Sequence, residues 1–286
     1  GHDALADNTT ASNLTAVGFS ALGNNTTGST NTAVGHRSMI TNTTGGFNTA
    51  FGAESLEANT TAANNVAVGW RALHNTTTGM QNTSVGTSSL AQNTTGLNNA
   101  AVGHLALTTN TTGQRLVAVG SFALDANTTA NNNVAVGYTA LTENTTGANN
   151  TALGDQCLAA NTTASDNVGV GKDALASNTV GFSNTAVGAN ALDACTDGDN
   201  NTACGQNSLT SNTTGRNNTA VGVGALRDLT SGGQNVGIGT SGAQGVTTGS
   251  NNIGIGHDSL RGGSPSGNIT TGSNNICLGD DNISNL

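Results

Sequence analysis

Few residues in this chain have the type and spacing to do chemistry, and the most numerous are asparagines followed by threonine pairs. Asn-Thr-Thr triplets spell sequons at Asn8, Asn25, Asn42, Asn59, Asn75, Asn93, Asn110, Asn127, Asn144, Asn161 and Asn212, which would suit a glycosylated filament from a secretory route. The alternative is a turn that happens to spell a sequon. The same triplets set threonine pairs such as Thr26 and Thr27, or Thr43 and Thr44, in regular rows. The four cysteines Cys157, Cys195, Cys204 and Cys277 lack metal-ligand spacing and read as small buried substitutes. His2, His36, His74, His104 and His257 fall mostly just after a glycine, at variable positions expected to face solvent without partner carboxylates. Gly237-Ile238-Gly239 and Gly254-Ile255-Gly256 mimic part of a dinucleotide fingerprint but lack its strand–turn–helix setting. Asp197-Gly198-Asp199 and Asp280-Asp281 would bind Ca²⁺ weakly at best, with no repeated acidic motif behind them. No nucleophile–base or paired-carboxylate arrangement recurs. The expectation is no catalytic site, no cofactor and no metal, hence no enzyme.

What positions these residues is a repeat. Glycine stands at Gly1, Gly18, Gly35 and every seventeenth position to Gly256, and the next equivalent is Gly279. The 23-residue step implies six inserted residues, placed within 261–267 around the only proline. The consensus is N-T-A-V-G-x-x-A-L-x-x-N-T-T-G-x-x. Seventeen residues are too few for a helical-hairpin repeat. They suit one coil of a parallel β-solenoid or β-roll, with like residues stacked about 4.8 Å apart, so that some seventeen coils would make a rod on the order of 80 Å long. The reading is all-β: one solenoid over residues 1–286, with regular coils over 1–260 and a last coil over 268–286.

Each column of the repeat has a structural reading. The residue before the glycine is apolar (Val17, Val34, Phe51, Val68, Val85), a β-branched residue stands two earlier (Thr15, Thr32, Thr49, Val66), and a small one lies between. That makes a short strand, and the glycine permits a bend that a Cβ would obstruct. A leucine column follows four residues on: Leu5, Leu22, Met39, Leu56, Leu73. Val and Leu, with the β-branched partner, are expected to form a thin core. N-T-T-G reads as a turn. The asparagine before each strand (Asn31, Asn48, Asn65) is expected to stack as a ladder, each amide bonding the ones above and below.

Composition narrows the function classes. Charged residues are 8% of the chain and Lys plus Arg number 7, so the basic footprint of a nucleic-acid binder is missing. No run approaches the roughly 20 apolar residues of a membrane span. The chain opens inside a repeat, as expected of a piece of something longer. The small-residue columns suggest faces where another sheet approaches closely, which favours a homotrimer, and open coil ends favour end-to-end stacking. Phe19, Trp70, Tyr138 and Phe182 sit at variable surface positions where they could meet a host or cell-surface receptor or a glycan.

The strings NTAVGHRSM, NVAVGWRAL, NNVAVGYTAL and NVGIGTSG resemble the head repeats of trimeric autotransporter adhesins (YadA-like), and the wider pattern looks like repeat regions of phage tail fibres. The resemblance implies a left-handed parallel β-roll, three chains, and adhesion at a cell surface or virion. The adhesin repeat is shorter and lacks the N-T-T-G turn. A structural or adhesive extracellular fibre segment is therefore the leading expectation. A self-assembling, glycosylated filament is a second, and an ice-binding solenoid that uses the threonine rows is a third.

Overall fold

The computed structural model describes residues 1–261 and 269–280. The expected insertion within 261–267 lies, but for Arg261, outside them, as does Asp281. The chain is an all-β parallel β-solenoid, and its strands are three residues long. Residues 1–146 form one unit and 147–286 a second.

In the first unit the strands are β1 (Thr15–Val17), β2 (Thr32–Val34), β3 (Thr49–Phe51), β4 (Val66–Val68), β5 (Thr83–Val85), β6 (Ala100–Val102), β7 (Val117–Val119) and β8 (Val134–Val136). Each pairs in parallel with the next and in register, Thr15 on Thr32 and Ala100 on Val117. The second unit holds β9 (Thr151–Leu153), β10 (Val168–Val170), β11 (Thr185–Val187), β12 (Thr202–Cys204), β13 (Thr219–Val221), β14 (Val236–Ile238), β15 (Ile253–Ile255) and β16 (Ile276–Leu278), paired in the same way. Ile253 pairs with Ile276, so the longer step of 23 residues leaves the register intact.

The coil from Gly86 to Val102 shows how so little strand holds a coil. Ser88, Leu90 and Asn98 have φ of 53°, 50° and 60°, and Gly86 has φ of 135°. Left-handed backbone at a non-glycine residue costs roughly 1–2 kcal/mol. Here it turns alternate peptide groups along the solenoid axis. Outside the strand, Ser88 N–H donates to Trp70 O (2.9 Å), Leu90 N–H to Ala106 O (2.9 Å), Gln92 N–H to Thr108 O (3.0 Å) and Thr94 N–H to Thr111 O (2.9 Å). The turns thus bond to the neighbouring coils as the strands do, which satisfies backbone groups that burial would otherwise penalise.

The core differs from the expected one. Ala101 is fully buried, whereas Val85 and Val102 are 37% and 40% exposed. Successive strand residues point to opposite sides, and it is the small middle residue that points in. The β-branched and valine columns flank it on the outer face. The interior is built from this small column, the Ala or Ser before the leucine, the leucine itself and two asparagine columns. A thin coil has room for Ala or Gly between its walls and none for Val. The small-residue columns are therefore interior, and the close-approach argument for a trimer does not follow from them.

Candidate functional site

The asparagine of each sequon belongs to the interior. Asn25, Asn42, Asn59, Asn93, Asn110, Asn127, Asn144, Asn161 and Asn212 are fully buried, while Asn8 in the outermost coil and Asn75 are exposed. Asn42 Nδ2 donates to Asn25 Oδ1 (2.6 Å), Asn59 to Asn42 (2.6 Å), Asn110 to Asn93 (3.0 Å) and Asn127 to Asn110 (3.0 Å). Each amide also caps its own turn, as when Asn42 Nδ2 donates to Gly45 O (3.0 Å). A glycan on such an Nδ2 would replace one of its two donating hydrogens and need space that the coil lacks. In this fold the buried asparagines of the triplets act as turn caps and ladder rungs.

The second asparagine column bonds differently from the simple amide stack expected. Asn31 Oδ1 accepts from the backbone N–H of Asn48 (2.9 Å), and Asn31 Nδ2 donates to Gly45 O (2.7 Å). Amide-to-amide bonds join it in places, as from Asn218 to Asn201 (3.1 Å). The column signals its interior position in the sequence, since Leu116 replaces an asparagine there and is fully buried. Leu229, Val246 and Cys195 give the same signal in the first column.

The threonine pair splits by role. The first hydroxyl is tied to the neighbouring coil, Thr26 Oγ1 donating to Thr43 O (3.0 Å) and Thr94 Oγ1 to Thr111 O (3.0 Å). In most coils the second, such as Thr27, is the more exposed of the two.

Cys157, Cys195 and Cys277 are buried, as read from the sequence. Cys204 is exposed, because its column faces outward. Burial pushes the Cys157 thiol up to about 12 and the Cys195 thiol up to about 11.

Three of the five histidines, His2, His74 and His257, do have carboxylate neighbours. His2 Nδ1 lies 2.7 Å from Asp3, and His257 Nδ1 lies 3.3 Å from Asp258. His74 is the centre of a cluster that the sequence reading missed. Its Nε2 stands 2.9 Å from Glu57 Oε2 and 3.7 Å from Glu54 Oε2. Arg37 Nη2 pairs with the other Glu57 oxygen at 2.6 Å, and Arg71 Nε lies 3.5 Å from Glu54. Three donor atoms from Glu54, Glu57 and His74 fall within 4.8 Å of one another, the arrangement a divalent ion uses. Two arginines already neutralise the two carboxylates, so the cluster closes as an ion-pair network. A pairing signal was available, since Arg37, Glu54 and Arg71 recur at seventeen residues, as do Glu57 and His74.

Aromatic side chains gather along the columns after the glycine. Phe19 is stacked between His2 and His36 at 5.8 and 5.7 Å, Phe122 meets His104 and Tyr138 edge-on, and Arg71 lies 5.4 Å from the Trp70 ring centre. Phe182 is exposed.

The outer strand face is a continuous uncharged surface on each unit. In the first unit Val17, Phe51, Val66, Val85, Val102 and Val119 are exposed on it. In the second unit Leu153, Val187, Val221, Ile238, Ile255, Ile276 and Leu278 are. Among the described residues no strand position on either unit is charged. Among the described residues no helix is long and apolar enough to cross a membrane. No protein-family model and no curated protein matches this chain.

Proposed function

We propose that the chain is a structural and adhesive fibre segment of a cell surface or virion, a stiff non-catalytic spacer that works as an assembly of copies. The observation that carries this reading is the uncharged outer strand face. Exposed apolar patches beyond a few hundred Å² mark interaction sites on soluble proteins. Eight coils each offering on the order of 100 Å² of outward Thr and Val surface amount to about 800 Å² per unit, one side of a standard interface. A second copy has the same coil rise, so its side-chain rows mesh with these along the whole face. Three copies joined in this way form the homotrimer.

Light scattering of the purified chain tests the assembly. One copy has a mass of 28.0 kDa, so a trimer gives three times that, 84.0 kDa. A particle that stays at the single-copy mass at every concentration would end the reading. Negative-stain images showing indefinite lengths would instead favour end-to-end filaments.

A second reading rests on the outward strand threonines, Thr15, Thr32, Thr49 and Thr83 in the first unit and Thr151, Thr185, Thr202 and Thr219 in the second. Rows of hydroxyls beside valine methyls on a flat sheet would suit an ice surface. Thermal hysteresis is the deciding measurement, and a fibre segment shows none.

A further inference from the structure

We propose that a small polar cavity on the first unit binds an acidic sugar through its carboxylate. The cavity, of about 210 Å³, is lined by Arg71, His74, Asn75, Ser88, Gln92 and Leu105 among others. This site stands apart from the fibre reading and neither depends on it nor supports it.

The cavity arises where the repeat changes side-chain length. Arg71 and His74 are followed, one coil on, by Ser88 and Ala91 in the same columns, and then by Leu105 and Thr108. Long, short and long again over three coils leaves a hollow with Ser88 and Ala91 at its floor. At about 30 Å³ per water it has room for about seven waters, roughly the bulk of one sugar ring and less than a drug-sized pocket.

Its chemistry points to an anion. The only charged or protonatable side chains in the lining are Arg71 and His74, and no carboxylate faces the hollow. Arg71 Nε is buried without a hydrogen-bond acceptor, since the Glu54 oxygen at 3.5 Å is an ion pair and not an aligned bond. Nε itself is closed off and turned to Glu54, whereas the Arg71 side chain as a whole is 42% exposed, so the outer guanidinium nitrogens are what a ligand in the hollow can reach, and a planar carboxylate suits them. The preceding coils hold both side chains in place. Glu54 and Glu57 flank His74, and Arg37 secures Glu57. His74 Nδ1 lies 2.6 Å from Asn75 Oδ1, which fixes the ring. The Gln92 amide at the rim offers hydrogen bonds to sugar hydroxyls, and Leu105 offers an apolar wall for a pyranose C–H face.

Trp70 is the only tryptophan in the chain and lies against Arg71, so its fluorescence reports the site directly. The full chain should be titrated with glucuronate, with glucose as the uncharged control and sodium sulfate as the anion without a sugar. The expected result is a saturable change with glucuronate, and at least tenfold weaker responses to glucose and to sulfate. Arg71→Gln should weaken glucuronate binding at least tenfold. Because that variant also disturbs the ion-pair network, Ser88→Phe is the second test. Phe122 already occupies that column at φ 59°, so a ring is tolerated there, and at position 88 it would fill the hollow and abolish binding. Calorimetry on the same samples separates binding from a mere change at Trp70. No saturation by 50 mM glucuronate, an equal response to glucose or sulfate, or unchanged binding in Ser88→Phe would each overturn the proposal.

Discussion

Two glycine columns look alike in the sequence and differ in the backbone. At Gly103 φ is +139°, and a Cβ would stand 2.5 Å from the Gly120 carbonyl oxygen of the next coil. At Gly113 a Cβ would also be crowded, 2.4 Å from Ala130 O, but φ there is outside the left-handed region. The chain itself places alanine in that second column, at Ala62, Ala130 and Ala164, each buried, and never in the first. Gly103→Ala should therefore lose about 2–4 kcal/mol, combining strain with a clash against backbone that cannot move. Gly113→Ala should lose less, under about 1 kcal/mol, since alanine already stands at this place one coil on, at Ala130. Urea titration of the two variants side by side measures the difference, and equal losses would show that crowding alone governs both columns.

The cysteines are a second case in which environment decides behaviour. Alkylating reagents should modify Cys204 first, and Cys157, Cys195 and Cys277 only on unfolding, because the thiolate is the reactive form. Cys157 and Cys195 hold their protons to about 12 and 11 against an ordinary 9.0. Above pH 9 the unfolded chain releases these protons and the folded chain does not, so stability is full below that pH and falls as pH rises toward 11. Replacing both cysteines with alanine and repeating the alkaline titration should flatten the fall. A fall that persists unchanged would assign it to other groups.

The element that sets the coil is the buried amide ladder, and two of its interruptions leave a buried acceptor unmet. Thr76 takes the asparagine place above Asn59, and Cys195 takes it above Asn178. Neither has an amide to donate, and Asn59 Oδ1 and Asn178 Oδ1 are left buried without a partner. An unsatisfied buried acceptor costs about 1–3 kcal/mol. Thr76→Asn and Cys195→Asn should each stabilise the chain by about 1 kcal/mol, measured as a higher urea midpoint at constant slope. Destabilisation by both would mean that the ladder is not limiting. The period, the strand positions and the asparagine column were legible in the sequence, because stacking demands register and register shows as spacing. Which columns face inward was not, because apolarity was read as burial. The better signal is size. The Ala16 column admits only Ala, Gly, Ser and Cys, while the Val17 column admits Val, Phe, Leu, Ile and Cys. A wall that rejects bulk lies inside, and a wall that accepts any bulk faces out. The ion cluster around His74 was hidden for another reason: its partners adjoin only after seventeen residues have wound back.

For the molecule as a whole, the outward valines separate folding from assembly. Solenoid stability adds up from coil-to-coil interfaces, and these use the Ala, Leu and Asn columns that point in. Lysine at three successive outer positions, Val85→Lys, Val102→Lys and Val119→Lys together, should therefore leave the circular dichroism unchanged. The side chains would extend into water from positions already 37–40% exposed. They would also place three like charges about 4.8 Å apart on one face, where a second copy carrying the same charges cannot approach without a large repulsive and desolvation cost. Light scattering should then find the variant at the mass of one copy while the parent is a multiple of it. Were these valines part of the interior, three buried ammonium groups would unfold the unit before assembly could be asked about. A folded variant that still assembles would move the interface to another face.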